Sequence, residues 1–370
     1  MDVPHADGLG ETRGTAWPPA ASGLERRWVT VGGYRMSYVT GGAGEPVLLL
    51  HGIGSDASVW RHTLPALIRR YTVFAPDMLG CGQSEKPALD YSIEAMTHYV
   101  QYFMLAVGIE RAHVIGHSLG GGIALTLQGV FPERVDRLVL VSSGGFGREL
   151  HWLLRINALP GAQQALSILS DPRAGAIGLS RALERRRMRR LAAAYDGESP
   201  TILHRLQQPE ARRAFVRMAR SAIGLRGQKM SALSHLPALT KPVLLVWGER
   251  DRILPAIQGY RAAALLPHAH LALLPHASHR PQLEAPRAFN EAVLAFLEAE
   301  TWPPEPGEQR IARATMRARR RGRRRTRTLT TAALAVGIPV SMGVLARMRT
   351  TRHYTRPALR VRGHQGRAAG

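Results

Sequence analysis

The chain has 370 residues, 45% of them hydrophobic, a single cysteine and a formal net charge of +23. That length and apolar content suit one large or two medium globular domains with a sizeable core. The lone Cys81 excludes an intramolecular disulfide framework, and no paired Cys/His spacing offers a structural zinc site. Residues 301–370 hold 17 arginines against only Glu305 and Glu308, which leaves +8 for the other 300 residues. The basicity therefore belongs mainly to an appendage and does not mark the whole chain as a nucleic-acid binder.

Residues 1–24 have neither a basic start nor an apolar run, so a secretory leader is not expected and the segment reads as disordered. With one cysteine, a reducing, cytoplasmic setting is the expectation. Ordered patterning follows over 25–143. Trp28 to Val39 alternates about Gly32-Gly33 like a hairpin, and short apolar strands are predicted at Pro46 to Leu50, Tyr71 to Ala75, Ala112 to Ile115 and Leu138 to Val141. Between them Ile93 to Val107 and Leu119 to Phe131 have helix length. Residues 144–235 lack comparable strand runs, are rich in Leu, Ala and Arg, and are broken by Pro160, Pro172 and Pro200; they read as an inserted helical cap. The run Arg181 to Arg190 within it reads as a solvated helix face or an anion-binding one, and Phe146, Trp152, Met218 and Met230 are candidates for either an apolar pocket or core packing. The strand pattern resumes over 236–300, with Val243 to Trp247, Ala269 to Leu274 and a closing helix from Pro286 to Glu298. Strands alternating with helices predict an α/β fold, a mainly parallel sheet with helices on both faces.

The tail, 301–370, opens on the breaker cluster Trp302-Pro303-Pro304-Glu305-Pro306-Gly307. Arg317 to Arg327 contains eight arginines, and 328–346 is uncharged for 19 residues. At about 1.5 Å per residue such a helix would just cross a bilayer core. Its seven Thr, Ser, Gly and Pro residues and its positive flanks on both sides weigh against a span. An anionic membrane surface is one expected partner of the tail, a solvated extension is the other reading, and nucleic acid is the least favoured.

The chemistry concentrates in Ile115-Gly116-His117-Ser118-Leu119-Gly120-Gly121, which follows a predicted strand and precedes a predicted helix. A G-x-S-x-G run in that context is a strained turn that exposes the serine hydroxyl, with glycines allowing close backbone approach. A serine needs a base, itself held by a third group, so a histidine and an acid are expected downstream.

Leu48-Leu49-Leu50-His51-Gly52-Ile53-Gly54 places a His-Gly-x-Gly turn directly after a strand, and with the elbow it resembles the α/β-hydrolase superfamily over about residues 28–300. The resemblance implies an oxyanion hole built from the backbone N–H groups of Ile53 and Leu119, and a structural role for His51 beside the turn. Asp77 to Ser84 and Phe131-Pro132-Glu133-Arg134-Val135 resemble further structural signatures of that family, with Asp77 read as a turn residue. Asp251, in Gly248-Glu249-Arg250-Asp251, stands where the family carries its acid. His279, in Ser278-His279-Arg280-Pro281-Gln282-Leu283-Glu284-Ala285-Pro286, resembles Gly-His-x-Pro-x-x-Glu-x-Pro, with Ser278 in the place of glycine. Glu249 remains an alternative acid, and His268, His270 and His276 are the competing bases. The resemblance implies a capped serine hydrolase of the esterase-like branch, acting on a small-molecule ester, thioester or lactone without metal or organic cofactor. Its elbow serine argues against the relatives with an aspartate there. Carbon–carbon bond hydrolysis of ring-cleavage products on the same triad, and a non-catalytic receptor that kept the fold, are the alternatives.

Overall fold

The computed structural model describes residues 17–18, 22–157, 159–170, 202, 204–229, 239, 241–266 and 269–299. The 301–370 tail, with its apolar stretch 328–346, the Arg181 to Arg190 run, Met230, His268 and almost all of the N-terminal segment lie outside them.

Eight strands form one sheet: β1 (Leu24–Val31), β2 (Tyr34–Gly41), β3 (Pro46–Leu50), β4 (Thr72–Pro76), β5 (Ala112–His117), β6 (Val135–Val141), β9 (Val243–Gly248) and β10 (Ala269–Leu274). Their spatial order is β1-β2-β4-β3-β5-β6-β9-β10. The pairs β1–β2 and β2–β4 are antiparallel and all others are parallel. The expected mainly parallel α/β sheet is thus present. The first hairpin begins at Leu24 rather than Trp28, because the charged run Glu25-Arg26-Arg27 hides its alternation while Leu24 is buried. Gly32 and Gly33 both take positive φ, which suits the tight turn joining β1 and β2.

The central strands are apolar at nearly every position because both faces are covered. Leu48, Leu50, Leu138, Leu140, Leu245 and Trp247 point to one face, where they meet helices α2 (Ile93–Ala106) and α3 (Leu119–Val130) through Val100, Phe103, Ile123 and Leu127. The alternate residues Val47, Leu49, Val139, Val141, Leu244 and Val246 point to the other. There they meet α1 (Leu64–Leu67) and a closing helix (Pro286–Glu298), which buries Phe289, Val293 and Phe296. Each such large side chain removed from water contributes about 1.5–3 kcal/mol.

Although β6 and β9 are neighbours, the chain between Val141 and Val243 leaves the sheet and returns. Its described parts are α4 (Trp152–Ile156), α5 (Ala162–Ser170), α6 (Pro209–Ala222) and a small antiparallel ladder, β7 (Ile223–Gly224) with β8 (Gly227–Gln228). Helix α6 starts on Pro209 with Glu210 in its first turn and ends near Arg220, an order that suits the helix dipole. Two helices complete the second half of the core, α7 (Ile257–Leu265) and α8 (Pro281–Glu284), followed by the closing helix, α9. Among the described residues no helix is long and apolar enough to cross a membrane.

The loop after β4 is organised by Asp77, which is fully buried. One carboxylate oxygen accepts from the Ala57 amide at 2.8 Å; the other accepts from the Gln83 amide at 2.9 Å and from Arg26 Nη1 at 2.9 Å. A buried acid with that many donors organises a turn. Replacing it leaves two amides without their acceptor and the half-buried Arg26 without its counter-charge, so Asp77→Ala is expected to lower the unfolding free energy by about 3 kcal/mol or more. Equilibrium urea unfolding followed by tryptophan fluorescence measures it; a loss below about 1 kcal/mol would mean that the loop is held by other contacts.

Candidate active site

The parallel strands all end on one edge of the sheet, and the segments that leave β3, β5, β9 and β10 there carry Ile53, Ser118, Asp251 and His279. Ser118 joins β5 directly to α3 at φ 54°, ψ −114°, a conformation that non-glycine residues rarely hold. Its amide donates to the Val141 carbonyl at 3.0 Å, and its carbonyl accepts from the Gly121, Gly122 and Gly144 amides at 3.0–3.2 Å. The motif glycines are dictated by contact. A Cβ on Gly116 would collide with the Gly120 carbonyl, and one on Gly120 would collide with the carbonyls of Leu50 and His51.

His279 Nε2 lies 3.0 Å from Ser118 Oγ, and His279 Nδ1 lies 2.9 Å from Asp251 Oδ2. The other Asp251 oxygen accepts from the Ile253 and Leu254 amides, both at 2.8 Å. Both side chains are buried. A carboxylate can only accept, so Nδ1 carries the hydrogen and the Nε2 lone pair faces the serine hydroxyl. This order can withdraw the hydroxyl proton as the oxygen attacks an electrophile.

The competing candidates are drawn elsewhere. Glu249 is exposed. His276, at φ 69°, faces Arg250 at 2.7 Å, and His270 lies within β10. Ser278 occupies the family's glycine position without a positive φ, so the departure needs no special backbone. Glu284 accounts for its own place in the motif: its carboxylate accepts from the Ser278 amide and, at 3.1 Å, from the Arg280 amide, bracketing His279 from both sides.

His51 is fully buried, and its ring is spent on structure. Nε2 accepts from the Met78 amide at 3.0 Å, and Nδ1 donates to the Gly52 carbonyl at 2.8 Å. Burial holds its pKa below the usual imidazole value, so it stays neutral. The Gly52 carbonyl also accepts from the Ser55 amide at 3.2 Å. That carbonyl and the Ile53 N–H belong to one planar trans peptide, so pinning the oxygen aims the N–H the opposite way. Among the described residues neither the Ile53 nor the Leu119 amide has a hydrogen-bond partner, and both residues flank Ser118 around one cavity.

His117 has a structural role that the motif alone does not assign. Its Nε2 donates to the main-chain carbonyl of His279 at 2.9 Å, with the two rings 4.9 Å apart. Burial, then the neighbouring His279, push its pKa well below the ordinary value, so it remains a neutral strut under the loop that carries His279. Its position inside the elbow was the available signal.

The cavity at Ser118 has a volume of ≈ 50 Å³, and Ile93, Leu150, Leu154, Ile223, Ile253 and Leu254 are among its walls. Besides Ser118, Gln228 is the polar side chain among the described walls, and its amide is already committed to the Gly145 amide, the Glu149 carbonyl and Gln258. Of the aromatic and methionine candidates, the three that are described lie apart from the cavity. Phe146 is buried beside Trp247, Trp152 is 62% exposed, and Met218 packs on Cys81. Burial pushes the Cys81 thiol up to about 12, which leaves it protonated and inert.

Comparison with known proteins agrees with this architecture. Residues 45–286 match the family described as alpha/beta hydrolase fold. An uncharacterised protein of Mycobacterium tuberculosis H37Rv is 34% identical over 292 residues, 78% of this chain and 85% of that one. The 2-hydroxy-6-oxo-6-(2'-aminophenyl)hexa-2,4-dienoic acid hydrolase of Metapseudomonas resinovorans is 28% identical over 280 residues, covering 75% and 92%. Among solved structures, a bacterial membrane phospholipase A superposes with a TM-score of 0.58 at 25% identity, covering 75% of this chain and 86% of that one. With the matched region spanning six of the eight strands of the sheet, from β3 through β10, and the loop of His279, the chain belongs to the alpha/beta hydrolase fold family.

Proposed function

We propose that the chain is a serine hydrolase that cleaves a carboxylic ester, thioester or lactone with an apolar acyl group through an acyl-Ser118 intermediate. The observation that carries the reading is the unbroken series Asp251, His279, Ser118, with contacts of 2.9 and 3.0 Å, opening on an aliphatic cavity. Ser118 Oγ attacks the carbonyl carbon while His279 Nε2 takes its proton, and Asp251 fixes the tautomer and faces the imidazolium that forms. The amides of Ile53 and Leu119 hold the oxyanion of the tetrahedral intermediate. On collapse His279 returns the proton to the leaving group, and water deacylates the serine by the same route. Residues 144–235 act as the cap. Leu150, Leu154, Ala222 and Ile223 are among its contributions to the acyl wall, so acyl choice belongs to this segment.

Carbon–carbon bond hydrolysis is the second reading, favoured by the 28% identical dienoic acid hydrolase. Such a substrate bears a carboxylate, and among the described residues the cavity walls contain no lysine or arginine to meet it. That favours a neutral acyl group. A panel of short and medium acyl esters beside a dienoic ring-cleavage acid separates the two: turnover of the esters is expected, and turnover of the acid alone would overturn the esterase reading.

Ser118 is expected to react with a fluorophosphonate probe in the folded chain, and Ser118→Ala to abolish labelling. An unlabelled wild-type chain would leave only the receptor reading. His279→Ala is expected to lower kcat about 10³-fold or more with an unchanged melting temperature, because the base acts in the transition state and sits in a loop. An equally active variant would assign the base to another group.

The cytoplasmic setting and the tail belong to the same proposal. The tail's 17 arginines would attract anionic headgroups, each worth about 1 kcal/mol near the surface at low salt. Deleting 301–370 is expected to leave turnover of a small soluble ester within about threefold, since Ser118, Asp251 and His279 lie upstream. The same deletion is expected to abolish co-sedimentation with phosphatidylserine-containing vesicles at low salt. A full-length chain that ignores such vesicles would end the membrane idea.

A further inference from the structure

The turn that carries the proposed oxyanion donor is held at two ends. His51 and the Ser55 amide pin the Gly52 carbonyl from within the core. The other end is held from the cap. Arg205 Nη1 donates to the Gly54 carbonyl at 3.2 Å, and Arg205 Nη2 pairs with Asp56 Oδ2 at 2.5 Å. Asp56 in turn accepts from the Ser58 amide at 2.9 Å and caps the short helix after the turn. Burial pushes the Asp56 carboxyl up, but the Arg205 guanidinium and the Ser58 hydrogen bonds outweigh it and hold the group below its usual value, so the pair is ionised. A second contact follows the same path. Ile53 packs against Leu166, Ile202, Leu206, Phe215 and Val216, an apolar cluster made of residues from the cap. The Phe215 ring lies against the Gly54 α-carbon, where φ is +67° and an added Cβ would sit 3.0 Å from the ring.

We propose that Arg205 is a positioning residue that ties the cap to the oxyanion-side turn, so that docking of residues 204–216 and aiming of the Ile53 amide are one event. A planar guanidinium is suited to this because it spans a carbonyl and a carboxylate at once. Without it the Gly54 carbonyl and the Asp56 carboxylate lose a shared donor, and the peptide between Gly52 and Ile53 is restrained from one end only. The inference rests on the serine-hydrolase reading, because the amide matters only where an oxyanion forms.

The test compares two inhibitors on the full chain, an octyl trifluoromethyl ketone and the carbinol with the same skeleton. Ser118 Oγ adds to the ketone carbon, the carbonyl π pair moves to oxygen as an oxyanion, and the hydroxyl proton passes to His279 Nε2. The carbinol occupies the same cavity without that step. Arg205→Met is expected to weaken the ketone about tenfold or more, a part of the 10²–10³-fold that complete loss of an oxyanion donor costs, and to change the carbinol less than about twofold. If that variant does not fold, Arg205→Lys carries the test. Lysine keeps a charge for Asp56 but cannot hold Gly54 as well, and a selective loss of about threefold is expected. Equal loss for both inhibitors, or none, would overturn the positioning role. A wild-type chain that binds the ketone no more tightly than the carbinol would instead overturn the hydrolase reading itself, and this inference with it.

Discussion

Three main-chain segments meet where a side chain would ordinarily be. The carbonyls of Leu50 and His51, at the end of β3, lie against Gly120 in the first turn of α3, and the Gly120 carbonyl lies against Gly116 in β5. This approach brings the two turns that flank the serine close together, with Ser118 held between strand and helix in its positive-φ conformation. Any residue other than glycine at 116 or 120 would push strand from helix and separate the turn of Ile53 from the start of α3. The strain at Ser118 is held by the four hydrogen bonds that its own peptide groups make to β6, α3 and Gly144.

Around that junction the electrostatics separate one histidine from two others. His51 and His117 are sealed in apolar surroundings that hold both neutral, and each spends its ring on a main-chain carbonyl next to a group that matters. His279 differs in having a buried carboxylate behind it and a hydroxyl in front of it. Asp251 is itself anchored by two amides, so the imidazolium that would form at His279 has a fixed counter-charge, whereas a proton on His51 or His117 has none in contact. The three rings thus divide the work of support and proton transfer by environment rather than by residue type.

Much of this was legible in the sequence because it is written in short-range chemistry. Gly116, Gly120 and the His51-Gly52 pair are needed for backbone approach within a few residues of their own strands, and the apolar runs of β3, β5, β6 and β9 reflect burial on both faces. Asp251 could be separated from Glu249 by the family position alone; in the structure the separation comes from burial and two amide bonds. What could not be read depends on tertiary contact. The strut at His117 touches a carbonyl 162 residues away, and Arg205 reaches Gly54 across 151 residues. The apolar cavity wall escaped for a related reason: aliphatic residues such as Leu154 and Ile223 carry no sign that they face a cavity, and the more conspicuous Trp152 and Met218 face solvent and core.

The return of the chain to β9 beside β6 has a consequence for how such a protein can change. The Leu138 amide already bonds to the Pro242 carbonyl at 3.0 Å, so the sheet closes at the base of the excursion whatever its content. Length and composition between Val141 and Val243 can therefore drift with little effect on the register of the sheet, and new walls can be tried over an unaltered floor. The Arg205 contact limits that freedom, since an altered insertion that keeps it must still present a fork-shaped cation to Gly54 and Asp56.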